Sequence, residues 1–512
     1  MKAISNKSVA LILLTLLTPA AWAAGTNCAD LAKLKRANTT IDEATAVAKG
    51  AFPAPPGQNG QAPNAQAVAA FAATPAFCRV RATLRPSKDS DIKVEVWLPQ
   101  DNWNGRLEAI GNGGFGSNIG LNNLAEGVKA GFAIVGSNTG HEGNSGSVMI
   151  GHPEKLVDWG YRAMHEMTVL AKDLVKARYG NPVKYSYYAG CSTGGRQGWV
   201  AAQYYPNDFD GLSIGDAANP MTRNQASTIY ANLILNKDAA SNIPAAKWTA
   251  YHNAAMEKCD AADGVRDGLL NDPLACNFAP KDMQCKGAES DSCLTEAQVA
   301  SMTKVVAGMK NPRTGEQLRA GWPVGSIPAN FVTGPKPEDV AVDTFRILFN
   351  DANWDYHTMD FDKDIAKADK MGANLIDAAD PSKLGKLFAR GGKIVYYHGW
   401  NDPAITPLAA IDYYTKAVAA NGGKDKTYDS LRLFMVPGMG HCGGGDGPNT
   451  WDKLDVVMKW VEEKKAPDQI VATHSTQGKV DRSRPLCPYP QVAKYKGSGS
   501  TDEAANFSCA AP

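Results

Sequence analysis

The sequence predicts an α/β chain built on a parallel sheet and interrupted by one large insertion. Three observations predict it. Strand-like runs alternate with helical ones between residues 91 and 217, the rhythm breaks near residue 219, and it returns over 392–442. Alternating strands and helices are the mark of βαβ units, and a break flanked by the same rhythm marks an insert rather than two domains in series.

In chain order, Lys2 and Lys7 precede the apolar run "VALILLTLLTPAAWA", and Ala21-Trp22-Ala23 fits a small-x-small cleavage site. That combination predicts a secretory signal peptide over 1–23, too short and wrongly flanked for a membrane span. No later run is apolar for long enough to span, so an exported protein, secreted or periplasmic, is expected. Residues 24–218 then form the first part of a catalytic domain. Within it, 51–66, "AFPAPPGQNGQAPNAQ", reads as an exposed loop from its Pro, Gly and Asn. "DIKVEVWLP", "RLEAIGNGG" and "FAIVGSN" follow as strands. "DWGYRAMHEMTVLAKDLVKARYG" reads as a helix closed by Gly180. "KYSYYAG" is a strand running into a turn, "RQGWVAAQYYP" a helix stopped by Pro206, and "FDGLSIGDA" the next strand. Residues 219–385, with four cysteines, acidic loops, Trp248, Trp322 and Trp354, form the inserted lid. The second catalytic part, 386–512, carries "GKIVYYHGWND" and "LRLFMVPGMGHC" as buried strands.

Composition excludes several classes of partner. Lys plus Arg exceed Asp plus Glu by 53 − 52 = 1, so no basic surplus argues for nucleic acid or an anionic membrane. Nothing in the sequence signals an oligomeric state. Ten cysteines in an exported chain read as five disulfides, and no C-x₂-C pair supports zinc. Local spacing suggests Cys259–Cys276, Cys285–Cys293 and Cys487–Cys509, with Cys28–Cys78 clipping the N-terminal segment. Cys191 and Cys442 are left for each other.

Gly190-Cys191-Ser192-Thr193-Gly194 matches G-x-S-x-G after a strand and before a helix, the setting of a nucleophile elbow. Ser192 is the candidate nucleophile. Such a serine needs a base and an orienting acid. His441 and Asp402 each lie just beyond a buried strand, and the order Ser192, Asp402, His441 is that of an α/β-hydrolase triad. Asp216 is the alternative acid, with turn capping as its competing role. His398 reads as a buried structural histidine, and His141 and His152 as loop caps. An oxyanion needs backbone N–H donors. Thr193 supplies one, and Gly113 or Gly114 in "GNGGFG" supplies the other. That loop also fits G-x-G-x-x-G, yet Ser137 and Asn138 stand where a ribose-binding acid belongs, so no organic cofactor is expected. If Ser192 and His441 hydrogen-bond, their neighbours Cys191 and Cys442 are drawn together, which favours one disulfide over two unrelated thiols.

The Cys-Ser pair, the later Asp and the His-Cys pair resemble the tannase and feruloyl esterase family, which includes hydrolases of mono(2-hydroxyethyl) terephthalate. The resemblance covers nearly the whole mature chain. It implies a serine esterase acting on small aromatic acid esters, with a lid supplying most substrate contacts. Gallate, ferulate and terephthalate esters remain open, as does a non-catalytic binding module on the same scaffold. In the lid, "CDAADGVRDGLL" places Asp260, Asp263 and Asp267 in one acidic loop suited to Ca²⁺. It is not an EF-hand, because Val265 and Leu274 stand where ligands belong. The resemblance implies a structural calcium site completed by the carbonyls of Val265 and Leu269. Phe345, Arg346, Phe349 and Trp354 are candidate substrate contacts. Arg346 would suit a carboxylate, but a lid ion pair is its plainer role, and phenolic esters are therefore preferred over terephthalate.

Overall fold

A computed structural model of the chain describes residues 25–57, 60–327 and 330–512; the expected leader over 1–23 lies outside them. In chain order the strands are β1 (Thr39–Val47), β2 (Phe77–Leu84), β3 (Ile92–Pro99), β4 (Arg106–Ile110), β5 (Ala133–Ser137), β6 (Tyr185–Cys191) and β7 (Gly211–Gly215). The insertion contributes β8 (Met309–Lys310) and β9 (Gln317–Arg319), which among the described residues pair only with each other. Then come β10 (Lys393–Gly399) and β11 (Leu431–Val436). Nine of these form one sheet in the order β1-β2-β3-β5-β4-β6-β7-β10-β11. From β5 onward every pairing is parallel, while β1 to β3 and the β3–β5 join are antiparallel.

The parallel strands are apolar without alternation because helices cover both faces. β7 and β11 are buried along their whole length. On one face Leu170, Trp199 and Tyr413 join the core with Leu212, Ile394 and Leu433. On the other, Val457 and Trp460 pack on Tyr187, Val395 and Phe434. The helix Ala163–Tyr179 ends at Gly180, whose φ of 73° gives the left-handed cap that only glycine adopts at little cost. Its expected first turn is a π-turn over Asp158–Arg162.

Between β7 and β10 the chain is mainly helical, with Met221–Leu235, Ala245–Cys259, Glu296–Ala307, Asp339–Phe349 and Lys363–Gly372 as its longer helices. Trp248, Tyr251, Met302 and Trp322 give it a core of its own. Its two roots are clasped together: Ala378 N–H donates to Asn219 Oδ1 (3.0 Å), and Asn219 Nδ2 donates to Ala378 O (3.2 Å).

Two regions differ from the expectation. β1 and β2 extend the sheet by an antiparallel pair that the alternating pattern does not reveal. β1 is an edge strand of Thr, Asp and Glu with a register shift between Ile41 and Glu43, so period-2 patterning is lost. At the C-terminus, β12 (Ile470–Thr476) with β13 (Lys479–Leu486), and β14 (Val492–Tyr495) with β15 (Phe507–Ala510), form two hairpins. All five expected disulfides are present: Cys28–Cys78, Cys191–Cys442, Cys259–Cys276, Cys285–Cys293 and Cys487–Cys509. Among the described residues no helix is long and apolar enough to cross a membrane.

Candidate active site

The C-terminal ends of β6, β7, β10 and β11 meet at one edge of the sheet, the usual place for ligands in such sheets. β6 runs through Cys191 into Ser192, whose φ of 63° and ψ of −123° put it on the strained elbow. The elbow can form only because its neighbours lack side chains. A Cβ on Gly190 would stand 2.6 Å from Gly194 O, and one on Gly195 2.4 Å from Gly215 O. Thr193 opens the helix Thr193–Tyr204, so its N–H is among those with no intrahelical acceptor.

The loop after β4 lies against this elbow: a Cβ on Gly111 would meet Gly194 Cα at 2.6 Å. Asn112 N–H donates to Gln197 Oε1 (3.0 Å), and Asn112 Nδ2 to Ser137 O (2.9 Å). His141 Nε2 is 2.6 Å from Phe115 O, the loop-holding role expected of it. Burial is the main reason the His141 pKa lies below the usual imidazole value. His152 instead pairs with Asp89 on the surface. Of the two oxyanion candidates in the loop, Gly114 borders the cavity at Ser192 and Gly113 does not.

His441 and Asp402 come together from the loops after β11 and β10. His441 Nδ1 lies 2.8 Å from Asp402 Oδ2, and Asp402 Oδ1 accepts from the N–H groups of Ala404 (2.8 Å) and Ile405 (2.9 Å). Asp402 is fully buried. Burial alone would raise its pKa, but hydrogen bonds from His398 and His441 outweigh that and hold it well below the carboxylate range. Burial opposes the His441 charge as well, yet Asp402, Asp216 and Glu338 leave its pKa above the ordinary imidazole value. Ser192 Oγ makes no hydrogen bond to His441 among the described residues, although both line one cavity of about 210 Å³. Nucleophile–base bonds of this kind commonly tighten only when substrate binds.

Two residues set aside in the sequence reading sit inside this network. His398 Nε2 lies 2.9 Å from Ile405 O and 3.2 Å from Asp402 Oδ2, so Asp402 serves two imidazoles. Asp216, the alternative acid, makes no hydrogen bond to His441 among the described residues and is placed as a clamp. Its Oδ1 accepts from Gly399 N–H (2.8 Å) and its Oδ2 from Cys442 N–H (3.2 Å), and burial pushes its pKa up to about 6. Lys453 Nζ donates to Cys442 O (3.3 Å). The Cys191–Cys442 disulfide therefore joins a residue whose peptide is already held at both polar ends.

The lid residues expected to touch substrate are placed elsewhere. Phe345 is fully buried and stacks on Trp354 at 5.1 Å, Phe349 meets Trp354 at 5.8 Å, and Arg346 faces Asp343 at 3.7 Å and Trp354 O at 3.3 Å. All four serve the lid, and none lines the cavity at Ser192. Aromatic content signalled a pocket where the lid needed a core. The residues that do line the cavity include Asn224, Gln225 and Thr228, from the helix Met221–Leu235, and Glu338. Nothing in the pattern marks them, because polar residues on a helix read as a solvated face.

The acidic loop follows the helix Ala245–Cys259. Asp260 accepts from the N–H groups of Asp267 and Gly268, Asp263 from Val265 and Asn271, and Asp267 from Leu269. Asp267 also pairs with buried Arg484 of β13 at 2.5 Å. The donor set is all oxygen, as Ca²⁺ requires. Burial, with a smaller push from the Asp267 charge, raises the Asp263 pKa. Their ligand atoms do not all lie within 4.8 Å of one another.

Comparison with known proteins agrees with this architecture. The family model described as tannase and feruloyl esterase matches residues 78–510. An esterase of Xanthomonas campestris pv. campestris is 36% identical over 546 aligned positions, covering 96% of this chain and 92% of its own. A probable feruloyl esterase B-1 of Aspergillus oryzae is 33% identical, covering 84% of this chain and 83% of its own. The crystal structure of feruloyl esterase B from Aspergillus oryzae superposes with a TM-score of 0.87 at 30% identity, covering 94% of this chain and 99% of the other. A tannin acyl hydrolase from Aspergillus niger shares the fold, at a TM-score of 0.76 and 21% identity over 93% of this chain and 92% of its own.

Proposed function

The chain belongs to the tannase and feruloyl esterase family, a family of carboxylic ester hydrolases, and from that premise we propose that it hydrolyses esters of phenolic acids, such as ferulate or gallate, through an acyl-enzyme on Ser192. The observation that carries this reading is the buried Asp402 bound to His441 Nδ1 beside the elbow serine. In that arrangement Ser192 Oγ attacks the ester carbonyl and gives its proton to His441 Nε2. Asp402 fixes the tautomer and stabilises the imidazolium. The N–H groups of Thr193 and Gly114 face the developing oxyanion. Collapse releases the alcohol with the proton returned by His441, and water then attacks the acyl ester by the same route in reverse.

The test is a steady-state comparison of methyl ferulate, methyl gallate and mono(2-hydroxyethyl) terephthalate, with Ser192→Ala as control. Turnover of the two phenolic esters that vanishes in Ser192→Ala supports the reading; turnover of the terephthalate monoester alone refutes it. The same proposal includes a structural Ca²⁺ held by Asp260, Asp263 and Asp267 with the carbonyls of Val265 and Leu269. It also includes export from the cytoplasm, in keeping with the five disulfides.

A further inference from the structure

Among the described residues lining the cavity at Ser192, only Glu338 and His441 can carry charge, and no lysine or arginine is present. A substrate carboxylate entering here would find no cation and would face Glu338. The opposite character marks one wall. Asn224, Gln225 and Thr228 project from one helix, and none is more than 6% exposed. Asn224 Oδ1 accepts from Arg319 Nη2 (3.0 Å), which turns its Nδ2 donor away from Arg319. Neither that donor nor the Gln225 carboxamide has a hydrogen-bond partner among the described residues, and neither is among the side-chain atoms sealed from solvent without one, so both stay open to the cavity. Polar groups that meet only water in a narrow cavity are complemented by a ligand that reproduces those hydrogen bonds. Val340 and Ile405 supply an apolar surface for a ring. The cavity of about 210 Å³ exceeds the ~150 Å³ that accepts a benzene ring in a protein core.

We propose that this cavity selects uncharged, hydroxyl-bearing aromatic acyl groups, Asn224, Gln225 and Thr228 binding the ring hydroxyls while Glu338 at the rim repels acyl groups that carry a carboxylate. The proposal rests on Ser192 as nucleophile and specifies the acyl group that reaches it. Glu338 is exposed, so its repulsion is screened by salt, whereas the hydrogen bonds on the buried wall are not.

Two pairs of methyl esters separate the two effects. Methyl 4-hydroxycinnamate against methyl cinnamate reports the hydroxyl, and dimethyl against monomethyl terephthalate reports the charge. The parent should favour the first member of each pair by about tenfold or more in kcat/KM. Gln225→Met and Asn224→Leu should bring the hydroxyl ratio toward one and leave the charge ratio. Glu338→Gln should shrink the charge ratio and leave the hydroxyl ratio, and added salt should shrink the charge ratio in the parent only. Each ratio is taken within one variant, so partial loss of folded protein cancels; if Asn224→Leu does not fold, Gln225→Met decides the wall. Equal turnover of both members in the parent, or ratios unmoved by these variants, overturns the proposal. Turnover that survives in Ser192→Ala overturns the nucleophile instead.

Discussion

Replacing Cys191 and Cys442 together by alanine tests how the base is held against the nucleophile. The disulfide closes 251 residues. In the chain-entropy model such a loop contributes at most about 5.5 kcal/mol, through the unfolded chain. The sheet and four other disulfides remain, so the double variant should fold, with native-like circular dichroism and a lower Tm. Locally, three other forces act on Cys442. Its φ of 64° is left-handed, a strain of roughly 1–3 kcal/mol for a residue with a side chain. Against that strain stand the Asp216 acceptor and the Lys453 donor, hydrogen bonds to charged groups worth about 1.5–3 kcal/mol each. The two clamps therefore keep the loop near its place without fixing it. A drift of about 1 Å between base and nucleophile costs on the order of 10²-fold in rate, and that is the expected loss in kcat. Cys191→Ala with Cys442→Gly should lose less, since glycine adopts this φ without strain. The assay is steady-state hydrolysis of methyl ferulate, with non-reducing peptide mapping of the parent. A folded double alanine variant with full kcat, or Cys191 linked elsewhere in the parent, would refute the reasoning.

Asp402→Asn should lower kcat on the order of 10⁴-fold while leaving the fold intact, because an amide favours the wrong imidazole tautomer; a loss below tenfold in steady-state assays is incompatible with the triad. Asp216→Asn should cost kcat tenfold or more. Only one of its two side-chain positions can then accept, so either Gly399 or Cys442 faces an NH₂, and an unchanged kcat would show that the clamp is dispensable. The His441 pKa is raised, and the base must be neutral, so kcat/KM should fall with decreasing pH through a limb above the ordinary imidazole value of ~6.5. Glu338→Gln removes one cause of that rise, so its limb should lie at lower pH; a limb that stays in place contradicts the assignment. A chelator, or Asp263→Ala, should lower Tm with little effect on initial rate at ambient temperature, as loss of a ligand bound only by the native state does. Unchanged Tm in both, with no calcium found by metal analysis, removes the ion.

What the sequence discloses depends on which physics writes it. Buried parallel strands need unbroken apolar runs, so "KIVYYHG" and "LRLFMV" are legible, and with them the loops that carry Asp402 and His441. The elbow is legible because sterics demand glycine at fixed offsets from Ser192. The acyl wall is not. "MTRNQASTIYANLIL" has the polar content of a surface helix, and only the fold shows that Asn224, Gln225 and Thr228 face a cavity. Asp216 reads as a turn residue for a related reason, since its acceptors' partners, Gly399 and Cys442, lie 183 and 226 residues away.

The wall and the nucleophile are nonetheless linked by a chain of buried contacts. Arg196, four residues after Ser192, is fully buried and has no carboxylate partner among the described residues; its Nη1 donates to Gly160 O (2.9 Å) and Ile376 O (2.8 Å), and its guanidinium lies over Trp159 at 4.2 Å. Next to Ile376, Asp377 accepts from the N–H groups of Met221 (2.7 Å) and Thr222 (3.3 Å), capping the helix that carries Asn224 and Gln225. A carboxylate there also suits the positive end of the helix dipole. The route from Ser192 to the acyl wall thus runs through one buried arginine, one returning turn of the lid and one helix cap. A lid hinged freely at its roots would let specificity and chemistry move apart; here the Asn219–Ala378 clasp and the Arg196 bonds fix the first turns of the substrate helix to the elbow.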